Sequence, residues 1–484
     1  MEIVLSFIAV IIFIYIYIQD VRAYRRKGGQ LKNAPYFQFT ISTTLIVLMS
    51  IGLVNGFLMD PISTSSTTLF ISSVILSLLV ARVWLLYVKW IDVYEPERNI
   101  HLAITFFLSC LTLILVFPLT QLINSAGFVL NGDPVNDFLF SFIAIGMVEE
   151  FVKFIPLLVM IKLTKHVNEP IDYIVYASVS ALGFAFIENI LYIQSTNLAS
   201  LSARLLYSSV AHMFFSSIIG YALAINAIQN KKNFTGHLIV GFLLASLAHG
   251  FYDFWLINDE FYLPWVTTVF YIGSLHIWVT LKNNLINNTN FYRPDISLDR
   301  NNIKYKLLSH LVFTIYMGYI AYAVLNGAEE ANYFLAYSVM SFLFLVVYLS
   351  FSFSSFNIIR GYIAPISFPV KFFLPKVDAY PNYSGINIQL KILVRKGITE
   401  TYNGVLRKRL VLKKDYNWYL FEDEEHNQFV VKPYEYTHPF EESSMKRLTV
   451  CSYSRKLHTS NLHLDSKFLS KPLKGVGRLL ANHK

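Results

Sequence analysis

Four pairs of residues able to do chemistry recur at a spacing of four: Glu149 with Lys153, Phe184 with Glu188, His212 with Ser216, and His249 with Asp253. In a helix that spacing stacks both members on one face. Glu150 doubles the first set and Asn189 the second. A carboxylate deprived of water can take a proton from a nucleophilic water near neutral pH. Histidines and an Asp on facing helices can share that role, bind a developing oxyanion, or ligate a metal. Adjacent Glu149 and Glu150 diverge by about 100° around a helix, so one can face the water while the other anchors a neighbouring helix. Lys153 is close enough to both to hold one carboxylate ionised. Pro156 would disturb the same helix and free carbonyls near the site. The plain alternative for the Glu149, Glu150 and Lys153 set is structural ion pairing, and for Phe184 a core aromatic. His276 and His310 read as packing residues, and Arg82 as a snorkelling side chain.

The elements that must position these groups are apolar. Of 484 residues, 55% are hydrophobic and 15% charged, below the roughly 25% charged of a soluble domain. About 20 apolar residues cross a hydrocarbon core of about 30 Å. Eleven stretches qualify, near 2–18, 37–59, 69–91, 102–124, 137–162, 172–192, 204–228, 236–257, 261–281, 306–326 and 333–353. The four pairs fall on the fifth to eighth, in order, and four consecutive polar faces in lipid can converge only on each other. At about 1.5 Å per residue, Glu149, His212, His249 and Glu188 lie about 18, 12, 12 and 6 Å from the outer ends of their spans. The first stretch begins Met1-Glu2 without a basic residue or a small-residue cleavage site, and reads as a permanent anchor. Cys110 and Cys451 provide no disulfide framework or cysteine-rich metal site.

Lys and Arg mark every second loop: Arg22 to Lys32, Arg98, Lys165, Lys231 with Lys232, and Lys282 to Lys306. Those loops are expected to be cytoplasmic, which puts the N-terminus outside and the C-terminal region inside. The intervening loops are poor in basic residues, with Arg204 marking one of them. From Arg360 onward there are 21 Lys and Arg against 11 Asp and Glu, a balance of +10, whereas residues 1–359 carry −1. A basic region tied to membrane spans is expected to meet anionic lipid headgroups rather than nucleic acid. Ile386, Ile388, Leu390 and Ile392 alternate with polar residues like a half-buried strand. Asn403-Gly404 reads as a turn, and Trp418 to Phe421 with Phe429 to Val431 as a hairpin around Glu422 to Gln428.

The expected fold is therefore an all-α polytopic membrane protein of about eleven transmembrane helices with a small C-terminal cytoplasmic β-rich domain. Its divisions are 1–136, about four N-terminal spans; 137–257, a four-helix core; 258–353, about three further spans; 354–375, an interfacial linker; and 376–484, a basic β-rich domain with a loosely ordered end.

Glu149-Glu150-x-x-Lys153, Phe184-x-x-x-Glu188-Asn189, His212-x-x-x-Ser216 and His249-x-x-x-Asp253, in this order on consecutive spans, resemble the four motifs of the PrsW family. That family is grouped with the type II CAAX prenyl endopeptidases among intramembrane glutamate proteases. The resemblance covers about 137–257 and implies hydrolysis of a peptide bond in or beside the membrane. Its namesake acts on a membrane-bound anti-sigma factor, so the resemblance implies a membrane-anchored protein as the partner and regulated proteolysis or signalling as the setting. By position, Glu149 would activate water with Glu150 in support, Glu188 would take the second motif's catalytic place, and His249 with Asp253 would face the oxyanion. His212 joins the catalytic candidates without an assigned part; Lys153, Asn189, Ser216 and Phe184 support. No cofactor is required by this reading, but members are also classed as metallopeptidases. A divalent metal such as zinc stays open, with His212, His249 and Glu149 as its ligands. Extra spans and the β-rich domain set this chain apart from a compact member and leave the substrate open. Two other classes remain: an ion- or proton-coupled transporter, which predicts an inverted repeat that the sequence does not display, and a non-catalytic receptor or scaffold.

Overall fold

The computed structural model describes residues 2–356 except 27, 64, 165, 229–232, 259–262, 290 and 292–298. Beyond these it describes residue 363 and the segments 387–395, 398–412, 415–425, 428–433, 446–452 and 472–479. By internal contacts the chain divides into a helical unit, 1–356 with 363–375, and a second unit, 357–362 with 376–484.

The helical unit begins with α1 (Glu2–Arg26), α2 (Pro35–Phe57), α3 (Ser66–Ile91), α4 (Asn99–Thr112) and α5 (Val116–Ser125). A short helix α6 (Pro134–Phe140) runs through a π-helical stretch, Ser141–Met147, into α7 (Val148–Leu163). Then come α8 (Pro170–Ser195), the single turn α9 (Leu201–Ala203), a second π-helical stretch at Arg204–Ser208, and α10 (Ser209–Ile228). The unit ends with α11 (Phe234–Ile257), α12 (Pro264–Asn287) and α13 (Arg300–Phe353).

Among the described residues, eight helical runs are long and apolar enough to cross a membrane, with α4 and α5 forming one run and α9 and α10 another, fewer than the eleven crossings expected. The difference has three sources. Helix α13 is one 54-residue element, but Gly327 sits at φ 83° and ψ 171° and breaks it between the two expected stretches. The run from α6 through α7 carries Asp137, Glu149, Glu150, Lys153 and Lys162, too many charges for a plain span. Helix α12 carries Thr267, Thr268, Ser274, His276 and Thr280 within the expected stretch, which lower its apolar character.

Helix α8 is the centre of the bundle: 72% of its most apolar window is buried, against 11% for α1 and α2. It packs on α3, α4, α7 and α10, and α10 packs in turn on α11. Exposed Ile11, Leu48, Met49 and Phe57 on the outer helices are the surface expected of an element facing lipid. Close approach of α11 to the π stretch before α7 depends on glycine. A Cβ on Gly250 would lie 2.6 Å from Phe142 Cα, nearer than real Cβ atoms come, and Gly146 meets Ser246 in the same way from the other side.

Both π stretches expose carbonyls that a regular helix would pair, and such backbone is tolerated at membrane depth only where protein satisfies it. At Arg204–Ser208 the satisfaction is visible. Trp84 Nε1 donates to Leu205 O at 2.9 Å, Tyr271 donates to Leu206 O, and Ser209 Oγ donates to Arg204 O at 2.8 Å. Pro156 likewise removes the donor for Val152 O, and Thr112 Oγ1 approaches that carbonyl at 3.4 Å.

The second unit is a closed barrel of six antiparallel strands in chain order: β1 (Asn387–Arg395), β2 (Ile398–Leu412), β3 (Asp415–Asp423), β4 (Gln428–Pro433), β5 (Lys446–Ser452) and β6 (Pro472–Leu479). The expected hairpin is β3 with β4, where Phe421 pairs with Phe429. Asn403-Gly404 is not a turn. It lies inside β2, where Gly404 pairs with Ile388 on one side and Asp423 on the other. The end expected to be loosely ordered supplies β6, which closes the barrel against β1. Most of the expected interfacial linker, including the aromatic stretch 368–375, lies outside the described residues.

Candidate active site

Lys153 is the hub. Its ammonium lies 3.0 Å from Glu149 Oε2, 3.0 Å from Glu150 Oε1 and 2.9 Å from His212 Nδ1. It also stands 4.3 Å from the centre of the Phe184 ring, which gives that aromatic a cation–π role. An ammonium has three hydrogens and no lone pair, so His212 Nδ1 must accept. The imidazole hydrogen is then on Nε2, which donates to Glu188 Oε2 at 2.8 Å. Lys153 thereby fixes the tautomer of a histidine on another helix.

His249 enters from α11. Its Nδ1 donates to Glu150 Oε1 at 3.0 Å, and its Nε2 lies 3.3 Å from Asp253 Oδ2 and 3.6 Å from Glu149 Oε2. Phe215 stacks on its ring at 4.8 Å between centroids. Ser216 Oγ completes the set by donating to Glu150 Oε2 at 2.7 Å. Both oxygens of Glu150 are therefore engaged, by groups from three helices.

The exposures rank the carboxylates. The Glu150 side chain is 0% accessible, while Glu149, Glu188 and Asp253 are 14%, 19% and 22% accessible. Glu150 is an interior anchor, and the other three line the accessible face. A buried charge survives in such a place only with partners, and here each carboxylate has a cationic or N–H partner.

All ten residues singled out from the sequence are in this network, though not in equal standing. Asn189 sits one step removed, accepting from Arg204 Nε at 2.6 Å and donating to Ser209 Oγ at 3.1 Å. Arg204 itself was missed as a site residue. Its guanidinium pairs with Glu188 Oε2 at 2.5 Å and lies 4.5 Å from the Tyr192 ring centre. The signal was available: Arg204 is the lone basic residue in its loop, next to the span that bears His212.

The donor set fits a zinc-type ion in kind, two imidazoles and a carboxylate. Glu149, His212 and His249 each offer one ligand atom, all within 4.8 Å of one another. Lys153 contacts two of these three residues, so an ion there would share Glu149 and His212 with the ammonium.

Apolar helices around a buried acid–base centre are the make-up of an integral membrane protein with a polar site within its helices. The sequence model of a family described as PrsW family intramembrane metalloprotease matches residues 97–279, extending the match from the four motif helices to α4 and α12. Protease PrsW of Clostridioides difficile (strain 630) is 30% identical over 210 residues, 42% of this chain and 84% of that protein. Protease PrsW of Bacillus subtilis (strain 168) is 31% identical over 189 residues, 38% and 83% of the two chains. For Protease PrsW of Geobacillus kaustophilus (strain HTA426) the identity is 32% over 169 residues, covering 35% and 72%. No solved structure matches. The chain belongs to the PrsW family, and its activity class is that of a protease.

Proposed function

We propose that the chain hydrolyses a peptide bond of a membrane-anchored protein by a water that Glu149 activates. The observation that carries this reading is the division of labour between the adjacent glutamates. Glu150 is buried with both oxygens engaged, whereas Glu149 keeps accessible surface beside His249 and Lys153. Glu149 takes a proton from water as the water oxygen adds to the scissile carbonyl carbon. The resulting oxyanion is met by the N–H of His249, which Asp253 orients, and the proton passes to the leaving amine as the C–N bond breaks. Glu188 and Arg204 hold His212, and through it Lys153, in position. If a divalent ion is bound, Glu149, His212 and His249 would hold it, and it would supply Lewis-acid polarisation and a more acidic water.

The reading extends to eleven membrane crossings with the N-terminus outside, and to a cytoplasmic C-terminal region whose positive charge meets anionic lipid headgroups. An anti-sigma-factor-like protein is the substrate class that the family suggests, within regulated proteolysis. The test is cleavage of candidate single-span proteins by membranes containing the full chain. Glu149→Gln should lower the rate by about 10²-fold or more, the scale of a lost general base. Cleavage that persists unchanged in this variant rules out Glu149 as the base, and coupled ion flux lost in its place favours a transporter.

A further inference from the structure

A second cluster of carboxylates lies at the other end of α8 from Glu188, about 24 Å away along the helix axis at about 1.5 Å per residue. Asp92 follows α3, Glu169 precedes α8, and Asp172 is in the first turn of α8; the three residues are 2%, 2% and 0% exposed. One oxygen from each lies within 4.8 Å of the others. Two ligands of one cation at about 2.1–2.5 Å from it are about 3–5 Å apart, so the spacing suits a shared ion.

Each carboxylate uses one oxygen for the protein and leaves the other bare. Asp92 Oδ2 accepts from Glu97 N at 2.6 Å, Asp172 Oδ2 accepts from Asn168 N and Glu169 N at 2.9 and 2.8 Å, and Glu169 Oε2 accepts from Thr289 Oγ1. Asp92 Oδ1, Glu169 Oε1 and Asp172 Oδ1 are buried without a hydrogen-bond partner. Tyr176, one turn after Asp172 and fully buried, likewise leaves its hydroxyl without a hydrogen-bond partner, within reach of the charges of Asp172 and Asp92. Among the described residues no Lys or Arg forms an ion pair with any of the three carboxylates. Buried anions and unpaired oxygens of this number are costly, and native proteins satisfy nearly all such groups.

We propose that Asp92, Glu169 and Asp172 bind a hard divalent cation of the magnesium, calcium or manganese kind, which ties the α3–α4 turn to the start of α8. Oxygen-only ligation selects that class over zinc or copper, since no His or Cys is among the three. The site is independent of the Glu149 centre and of the hydrolytic reading.

The test uses Mn²⁺ as the probe, with the purified full chain in detergent after chelator treatment. Bound ion is counted from the loss of the free Mn²⁺ resonance signal. The Glu149→Gln/His212→Ala variant removes ligands of the other candidate site and should still bind one Mn²⁺ that excess Ca²⁺ or Mg²⁺ displaces. Adding Asp92→Asn/Asp172→Asn to that variant preserves the side-chain acceptors that hold the backbone, and should weaken binding about 100-fold or more. No Mn²⁺ on Glu149→Gln/His212→Ala overturns the proposal, as does unchanged affinity when Asp92→Asn/Asp172→Asn is added to that variant. Should the combined variant fail to fold, the count on Glu149→Gln/His212→Ala decides alone.

Discussion

A single ammonium holds together three helices. Lys153→Met strands Glu150 and removes the partner that fixes His212. Loss of one member of a buried pair costs about 3–5 kcal/mol, so the thermal transition of that variant should fall sharply. Glu150→Gln/Lys153→Met should lose less than the two single changes summed, because the second substitution removes the charge that the first leaves unpaired. Simple additivity in unfolding would mean that the two side chains do not share a network. Arg204→Gln tests the neighbouring arm: cleavage should slow, and Arg204→Lys should recover only part, since the guanidinium touches both Glu188 and Asn189 through different nitrogens. The Lys153 group was legible in the sequence because its members sit three and four residues apart on a helix. Arg204 showed only as the lone basic residue of its loop; its pairing with Glu188 across a π stretch that starts at Arg204 itself is announced by no residue periodicity.

At the level of elements, the site exists because α11 can lie against the π stretch before α7. Gly250→Ala puts a methyl group 2.6 Å from Phe142 Cα and should push His249 away from Glu150. The expected result is a loss of about 1–3 kcal/mol in unfolding together with a loss of cleavage. Gly52→Ala on α2, where a Cβ meets nothing within 4 Å, should leave both unchanged or gain slightly in stability. Equal effects from the two substitutions would show that helix propensity, not close approach, explains the glycine. The Asn403-Gly404 misreading has the same physical root. A glycine there serves strand contact, with a Cβ on Gly404 falling 2.6 Å from Asp423 Cα, and pairing on both edges of β2 overrides local turn chemistry.

For the whole molecule, the division into two units gives a direct expectation. Truncation after Phe356 should leave the Lys153 network assembled, measured as retained thermal stability of the helical unit and retained Glu149-dependent cleavage of a single-span protein. Loss of the network on truncation would make the barrel part of the site. The motif helices were readable from sequence at this scale because charge inside apolar helices is rare enough to stand out. The Asp92, Glu169 and Asp172 group was hidden, since its members come from two chain segments, each of which reads as an ordinary polar turn. The π stretch at Ser141–Met147 has a consequence for how such chains diverge. A π bulge is an α-helix with a residue too many, so losing one residue there would restore regular winding without turning α6 and α7 relative to each other. A one-residue deletion within α7 would instead swing everything beyond it by about 100° and scatter the motif faces. When relatives are compared, length variation along this helix should collect between 141 and 147, as a gap of one that leaves the spacing of the glutamates and Lys153 untouched.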